Sequence, residues 1–141
     1  LNNRESLKTQ YQKEIKINPM IIANSDVDVI FMEKMLEIME KNLSNPNFNV
    51  EKMAQEYGVS RTYLTRKIKA LTGESAIQFQ RSIRLKHAVE YLVKSNLTIS
   101  EIAWKVGYND IDTFRNRFRE QFNVNPSEYR QLNRLQSSVE E

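Results

Sequence analysis

One eleven-residue pattern occurs twice in this chain. VEKMAQEYGVS at 50–60 lies over ISEIAWKVGYN at 99–109, at an offset of 49 residues. After one further residue in the second copy's turn, Leu64, Ile68 and Gly73 lie over Phe114, Phe118 and Asn123 at an offset of 50. Each copy holds a small residue (Ala54, Ala103), a glycine four positions on (Gly58, Gly107), and then two apolar residues four apart. Apolar residues four apart share one helix face. Each copy therefore predicts a short helix, a tight turn and a second helix held down along one side. Alanine lets two steeply crossing backbones approach, and glycine tolerates positive φ at the corner. The face opposite the apolar pair is left outward. This is the helix-turn-helix pattern, whose second helix enters the major groove of duplex DNA. A single copy also arises in helical hairpins and helix-pair solenoids; two copies joined by a long helix narrow the reading.

The rest of the chain supports an all-α fold: two helix-turn-helix subdomains joined by a bridging helix, with an extra N-terminal helix. Residues 1–24 are polar, include Pro19 and read as a linker. Ser25 is placed to cap a helix from Asp26, with Asp28 at its third position and apolar residues Ile30, Phe31, Met35, Ile38, Met39 and Leu43 at helical spacing. Asn45-Pro46-Asn47 ends it. The first helix-turn-helix is expected over about 50–73, the second helix starting at a Ser60 cap and stopping at Thr72-Gly73. A bridging helix over about 75–94 follows, with Ile77, Phe79, Ile83, Ala88, Val89, Leu92 and Val93 as its apolar positions. Thr98-Ile99-Ser100-Glu101 is a capping box. It opens a second helix-turn-helix over about 99–123, in which Asn109 is expected to cap the recognition helix. Asn125-Pro126-Ser127-Glu128 starts a last turn or short helix, and 133–141 reads as a frayed polar tail. Met32, Met35, Met39 and Met53 read as core filler, Trp104 and Tyr108 as wedges between helices, and His87 as a helix-surface residue.

Charge and composition exclude several chemistries. The 141 residues include no cysteine and one histidine, His87, so thiolate chemistry, thiolate zinc sites and histidine pairs are absent. No metal site, cofactor or catalytic residue is expected: no nucleophile–base pairing or glycine-rich phosphate loop is visible, so the chain does not read as an enzyme. No apolar run approaches the roughly 20 residues that cross a bilayer, and Leu1 at the start fits a piece of a longer protein. The net charge of +3 is unevenly spread. Residues 25–49 carry a local −3, residues 60–86 a local +6, and residues 110–130 balance. A basic block inside a nearly neutral domain is the footprint of a nucleic-acid face.

Residues 46–130 resemble the AraC/XylS-type DNA-binding domain. The resemblance rests on MAQEYGVSRTYLTRKIKALTG (53–73), FQRSIRLKHAVEYL (79–92), and ISEIAWKVGYND with FRNRFREQFNVNPSEYR behind it. The closing F-x-x-x-F-x-V-x-P-S-E-Y-R run is its most specific part. The acidic helix 26–43 and the polar linker before it are similar to the C-terminal output module of hybrid two-component regulators. In that case 1–24 connects to an upstream receiver-type domain, and 25–132 is the DNA-binding domain. The bacterial parent then carries sensor and histidine kinase parts and is anchored in the inner membrane, while this fragment works in the cytoplasm without touching the membrane. The resemblance implies a sequence-specific transcription regulator. Its partner would be double-stranded promoter DNA, with RNA polymerase as a candidate contact and homodimers in the full-length protein. A stiff bridging helix would set the two recognition helices into successive major grooves about 34 Å apart. The alternative is a protein-interaction module that works through the acidic helix 26–43.

In the first unit the inward positions Leu64, Ile68 and Leu71 leave Arg61, Thr62, Thr65, Arg66 and Lys69 outward. Thr62, Thr65, Arg66 and Arg61 are the candidate base contacts: arginine pairs with guanine O6 and N7, and threonine methyls suit thymine. The resemblance points to Thr62, Thr65 and Arg66 as well. In the second unit the outward candidates are Asp112, Thr113 and Asn116, beside Ile111 and Arg115. Asp112 either accepts from cytosine N4 or caps its helix, and Asn116 suits adenine. This unit departs from the family, which often has arginine where Asn116 stands, so a phosphate grip through Arg115, Arg119 and the helix-start amides is expected beside base reading. Lys69, Arg81 and Arg84 complete the candidate phosphate contacts, although Arg84 is equally suited to bracing the two units by pairing with an acid.

Overall fold

The computed structural model describes residues 25–140, with side chains to residue 134; the expected linker over 1–24 lies outside the described residues. Every helix start with an assigned cap has a polar side chain waiting for an orphan amide, which is why the sequence boundaries fall where they do. Ser25 Oγ accepts from the Asp28 amide at 3.2 Å and opens α1 (Asp26–Lys41). Asn49 Oδ1 accepts from Lys52 N–H at 2.9 Å at α2 (Val50–Tyr57), and Ser60 Oγ accepts from Tyr63 N–H at 3.0 Å at α3 (Arg61–Thr72). After α4 (Ala76–Lys94), the Thr98–Glu101 capping box closes reciprocally and starts α5 (Ile99–Lys105). The chain ends in α6 (Ile111–Phe122) and α7 (Pro126–Glu140). No strand occurs among the described residues.

The helices group into two units. Among the described residues, the first takes in 25–42 and Asn47–Ile83; the second takes in Leu43–Pro46 and 84–140. In the first unit α1, α2 and α3 bury Phe31, Met32, Met35, Ile38, Met39, Met53, Ala54, Leu64 and Ile68. The four methionines are all fully buried, as expected of core filler. Phe31 meets Tyr57 edge to face at 5.3 Å between centroids. In the second unit Leu85, Ala88, Leu92, Ile102, Ala103, Val106, Phe114 and Phe118 form one cluster. Phe118 stacks within 4.5 Å of Phe122 and within 5.6 Å of Tyr129, centroid to centroid, which ties α6 to α7. Arg130 adds a polar tie, its Nε donating to Leu92 O at 3.0 Å.

The internal repeat reappears as repeated geometry. Gly58 and Gly107 sit at φ +93° and +92°, a conformation open to glycine at little cost. Past each glycine the same long turn bond forms: Val59 N–H donates to Ala54 O at 3.0 Å, and Tyr108 N–H donates to Ala103 O at 2.8 Å. At the ends of the second helices, Gly73 and Asn123 occupy left-handed caps, asparagine being the residue that best replaces glycine there.

Several expectations change. Trp104 is 59% exposed on α5 and not a core wedge; Ile102, Ala103 and Val106 fill the buried side of that helix. Tyr108 is half-buried with its ring 5.5 Å from Phe114, as a wedge should be. Ile77 and Val93 are half exposed, while Gln80 and Ser82 are buried on α4 instead. The segment read as a frayed tail from 133 is helical through Glu140, because the α7 start is fixed by reciprocal bonds between Asn125 and Glu128 and the helix simply continues.

Candidate nucleic-acid interface

In α3, Leu64, Ile68 and Leu71 are buried, and the side turned away from them is exposed at Arg61, Thr62, Arg66 and Lys69. These residues, with half-buried Thr65 and with Ala70, line one surface depression. The structure thus brings together all five side chains that the sequence assigned to this helix. Lys69 Nζ rests 3.0 Å from Gly73 O at the helix end, a position that leaves its charge at the surface. Lys67 is turned elsewhere: its ammonium donates to Asp28 at 2.7 Å and lies 5.9 Å over the Phe31 ring. That bond to the carboxylate raises the Lys67 pKa above the ordinary lysine value, so this cation stays charged and engaged by α1. Two residues of the outer face escaped the sequence reading, Tyr63 at 48% exposure and Ala70. The signal was available, since each lies within one helical turn of Arg66.

In α6 the buried pair Phe114 and Phe118 fixes the face, and Asn116 lies opposite it among exposed Asp112, Arg115 and Arg119. The cap is Asp110, neither Asn109 nor Asp112. Its carboxylate accepts from Asp112 N–H at 3.1 Å and from the Thr113 hydroxyl at 2.7 Å, and the Thr113 bond holds its pKa below the usual carboxylate range. A side chain needs to stand one residue before the first helical turn to reach these amides; Asp112 is already inside the turn and its carboxylate is free of capping duty. Thr113 is half-buried with its hydroxyl on Asp110, which turns it from the outer face. The helix is also internally neutralised: Arg115 stands 3.8 Å from Asp112, and Arg117 stands 3.3 Å from Glu120. Arg119 and Asn116 complete its outward polar surface.

The bridging-helix candidates divide. Arg81 is half-buried. Arg84 is 6% exposed and does not reach a phosphate from the surface. Its guanidinium donates to Leu43 O, to Val106 O at 2.9 Å and to Asn45 O at 3.2 Å, all within the second unit. Burial pulls its pKa below the usual arginine value, partly offset by Tyr108. A long arginine beside the glycine of a helical turn is drawn to the carbonyls that the turn leaves unpaired. Neither role expected from sequence holds as stated: in place of a phosphate, or of an acid whose pairing would brace the two units, Arg84 braces the second unit internally through three backbone carbonyls.

Comparison with known proteins agrees with this geometry. Residues 53–132 match the family model described as a helix-turn-helix domain. The chain is 38% identical over 129 residues to histidine kinase P4 of Formosa agariphila, covering 92% of this chain but 9% of that protein. It is 30% identical over 112 residues to the multiple antibiotic resistance protein MarA of Escherichia coli, covering 79% of this chain and 87% of MarA. Among solved structures, the DNA-binding domain of the global transcriptional factor AdpA, in complex with a target DNA, superposes with a TM-score of 0.68 at 26% identity. That match covers 74% of this chain and 93% of AdpA's. The match over both repeat copies, and the coverage of nearly all of MarA, place the chain in the AraC-type helix-turn-helix family of DNA-binding transcription regulators.

Proposed function

We propose that this chain binds double-stranded promoter DNA in a sequence-specific way, α3 and α6 each entering a major-groove segment of one duplex. The observation that carries this reading is the α3 surface: exposed Arg61, Thr62, Arg66 and Lys69, with half-buried Thr65 beside them, on a helix whose other side is buried. Arg66 is assigned to guanine O6 and N7, with Thr62, Thr65 and Arg61 beside it on neighbouring base edges. In α6, Asn116 is assigned to adenine and Asp112 to the amino group of cytosine; Thr113 has a smaller part because its hydroxyl is spent on Asp110. Lys69, Arg115, Arg119 and Arg81 grip phosphates, which fix register and carry most of the salt dependence. The site is then two boxes that need not be palindromic.

The similarity to histidine kinase P4 supports a place as the output end of a hybrid two-component protein, with 25–132 as the DNA-binding domain and 1–24 as the linker from a receiver-type domain. No helix among the described residues is long and apolar enough to cross a membrane. A cytoplasmic position, an anchored parent, dimerisation of that parent and contact with RNA polymerase all belong to this proposal.

The test is selection of bound duplexes from a random library at near-physiological salt, repeated with Arg66→Glu and Lys69→Glu together. Two enriched boxes, lost in the charge-reversed protein, are expected. No duplex retained even at low salt would overturn the reading and move attention to the acidic α1 surface.

A further inference from the structure

The outer face of α3 is wider than the residues assigned to it. At about 100° per residue, Thr62 and Lys69 lie about 40° and 60° to one side of Arg66, with Thr65 and Arg61 further round on that same side. On the other side stand Ala70 and Tyr63, about 40° and 60° away. Tyr63 is 48% exposed in the first turn of the helix, the half that docks deepest in this motif. Ala70 offers a methyl group alone. Beyond Tyr63 on that flank is Lys67, whose ammonium is already held by Asp28 at 2.7 Å.

A helix about 10–12 Å across fills a major groove about 12 Å wide. Both flanks of α3 therefore come up against sugar–phosphate backbones. Lys69 serves one flank. On the other flank the nearest cation is engaged by a carboxylate, and the donor that remains exposed is the Tyr63 phenol. We infer that Tyr63 is a DNA-binding residue that donates its hydroxyl to a phosphate oxygen on the strand opposite the one gripped by Lys69. The inference rests on the groove-reading role proposed for α3.

A phenol is neutral, so its phosphate contact releases no condensed counterion, whereas each lysine or arginine contact does. That gives Tyr63 a signature distinct from every basic residue on the helix. The experiment measures binding of the wild-type chain, Tyr63→Phe and Lys69→Ala to two duplexes across a salt series: the selected site and a random-sequence pool of equal length. Tyr63→Phe is expected to weaken both duplexes roughly ten-fold, within the range for a hydrogen bond to a charged group, with the salt slope unchanged. Lys69→Ala is expected to lower the slope by about 0.9. Equal binding by Tyr63→Phe and wild type would overturn the inference. Weakening confined to the selected site would overturn it too, by making Tyr63 a base reader. A wild-type chain that holds neither duplex at low salt would sink the groove-reading role, and this inference with it.

Discussion

Arg84 offers the sharpest test of the second unit, because the structure gives it a bracing role where a surface phosphate contact was equally open from sequence. Arg84→Met keeps the aliphatic stem and deletes the guanidinium. Val106 is fully buried, so its carbonyl loses its arginine partner with no water to replace it, at about 2 kcal/mol. Leu43 and Asn45 are half-buried and exposed, so water recovers most of theirs and each costs about 0.5 kcal/mol. The variant should lose about 3 kcal/mol, a large share of the 5–15 kcal/mol typical of a domain. Gly107→Ala should lose about 4 kcal/mol. Its Cβ would overlap the Arg84 guanidinium and Leu43 O, expelling the arginine, and a φ of +92° adds about 1 kcal/mol for an L-residue. Since both changes remove the same bonds, the double variant should cost about 4–5 kcal/mol, well short of additive. Urea unfolding reads all three as shifts of the midpoint at constant slope. Arg84→Met should leave the salt dependence of DNA binding unchanged. A stable Arg84→Met with a salt slope smaller by about 0.9 would restore the phosphate contact and refute the argument, and additive losses would refute the shared bonds.

Two further outcomes follow from residues that the structure reassigns. Asp110→Ala should lower the melting midpoint at neutral pH, and Asp110→Asn should recover most of the loss. The Asp110 pKa is depressed by the Thr113 hydroxyl and the Asp112 amide, so its contribution is present above the unfolded carboxylate pKa and is lost as pH falls through the lower folded value. Paired melts should therefore converge below about pH 3.9, and a difference that ignores pH would count against the cap. Trp104 is the chain's single tryptophan and 59% exposed. Acrylamide should quench its fluorescence almost as freely as indole in water, and Trp104→Phe should change stability by no more than about 0.5 kcal/mol; a shielded, blue-shifted emission would return it to the core.

What the sequence disclosed and what it hid divide along a physical line. Periodicity and turn chemistry are local, so the repeat, the caps at Ser25, Ser60 and Thr98, and the buried pairs Leu64/Ile68 and Phe114/Phe118 were all legible. Asp110 was missed by one residue because Asn109, Asp110 and Asp112 are all competent caps, and the choice rests on where α6 is held by Phe114. Arg84 depended on carbonyls about 40 residues away at Leu43 and Asn45, which no local pattern records. Trp104 was misread because a large apolar side chain was given a core place by its type, while small Ala103 already filled the crossing beside it. Tyr63 was passed over since it is neither basic nor apolar enough to enter a charge count or a core pattern.

The electrostatic difference between the two recognition helices leads to the last test. α3 presents uncompensated Arg61, Arg66 and Lys69, whereas α6 pairs Arg115 with Asp112 and Arg117 with Glu120. With capping assigned to Asp110, the Asp112 carboxylate is 81% exposed at the start of α6 and has no structural task beyond a long 3.8 Å approach to Arg115. A carboxylate placed in the major groove can only accept, and cytosine N4 is the partner suited to it. It also repels phosphates, which weakens binding to every wrong sequence. Asp112→Ser should then do two things in one selection experiment. The enriched motif should lose a cytosine preference of about five-fold at one position. Binding to a random-sequence pool should strengthen several-fold at low salt, as the repulsion disappears and the Arg115 phosphate grip no longer competes with Asp112. An unchanged motif with unchanged pool binding would mean that Asp112 does not approach the duplex, and that α6 holds DNA through Asn116, Arg115 and Arg119.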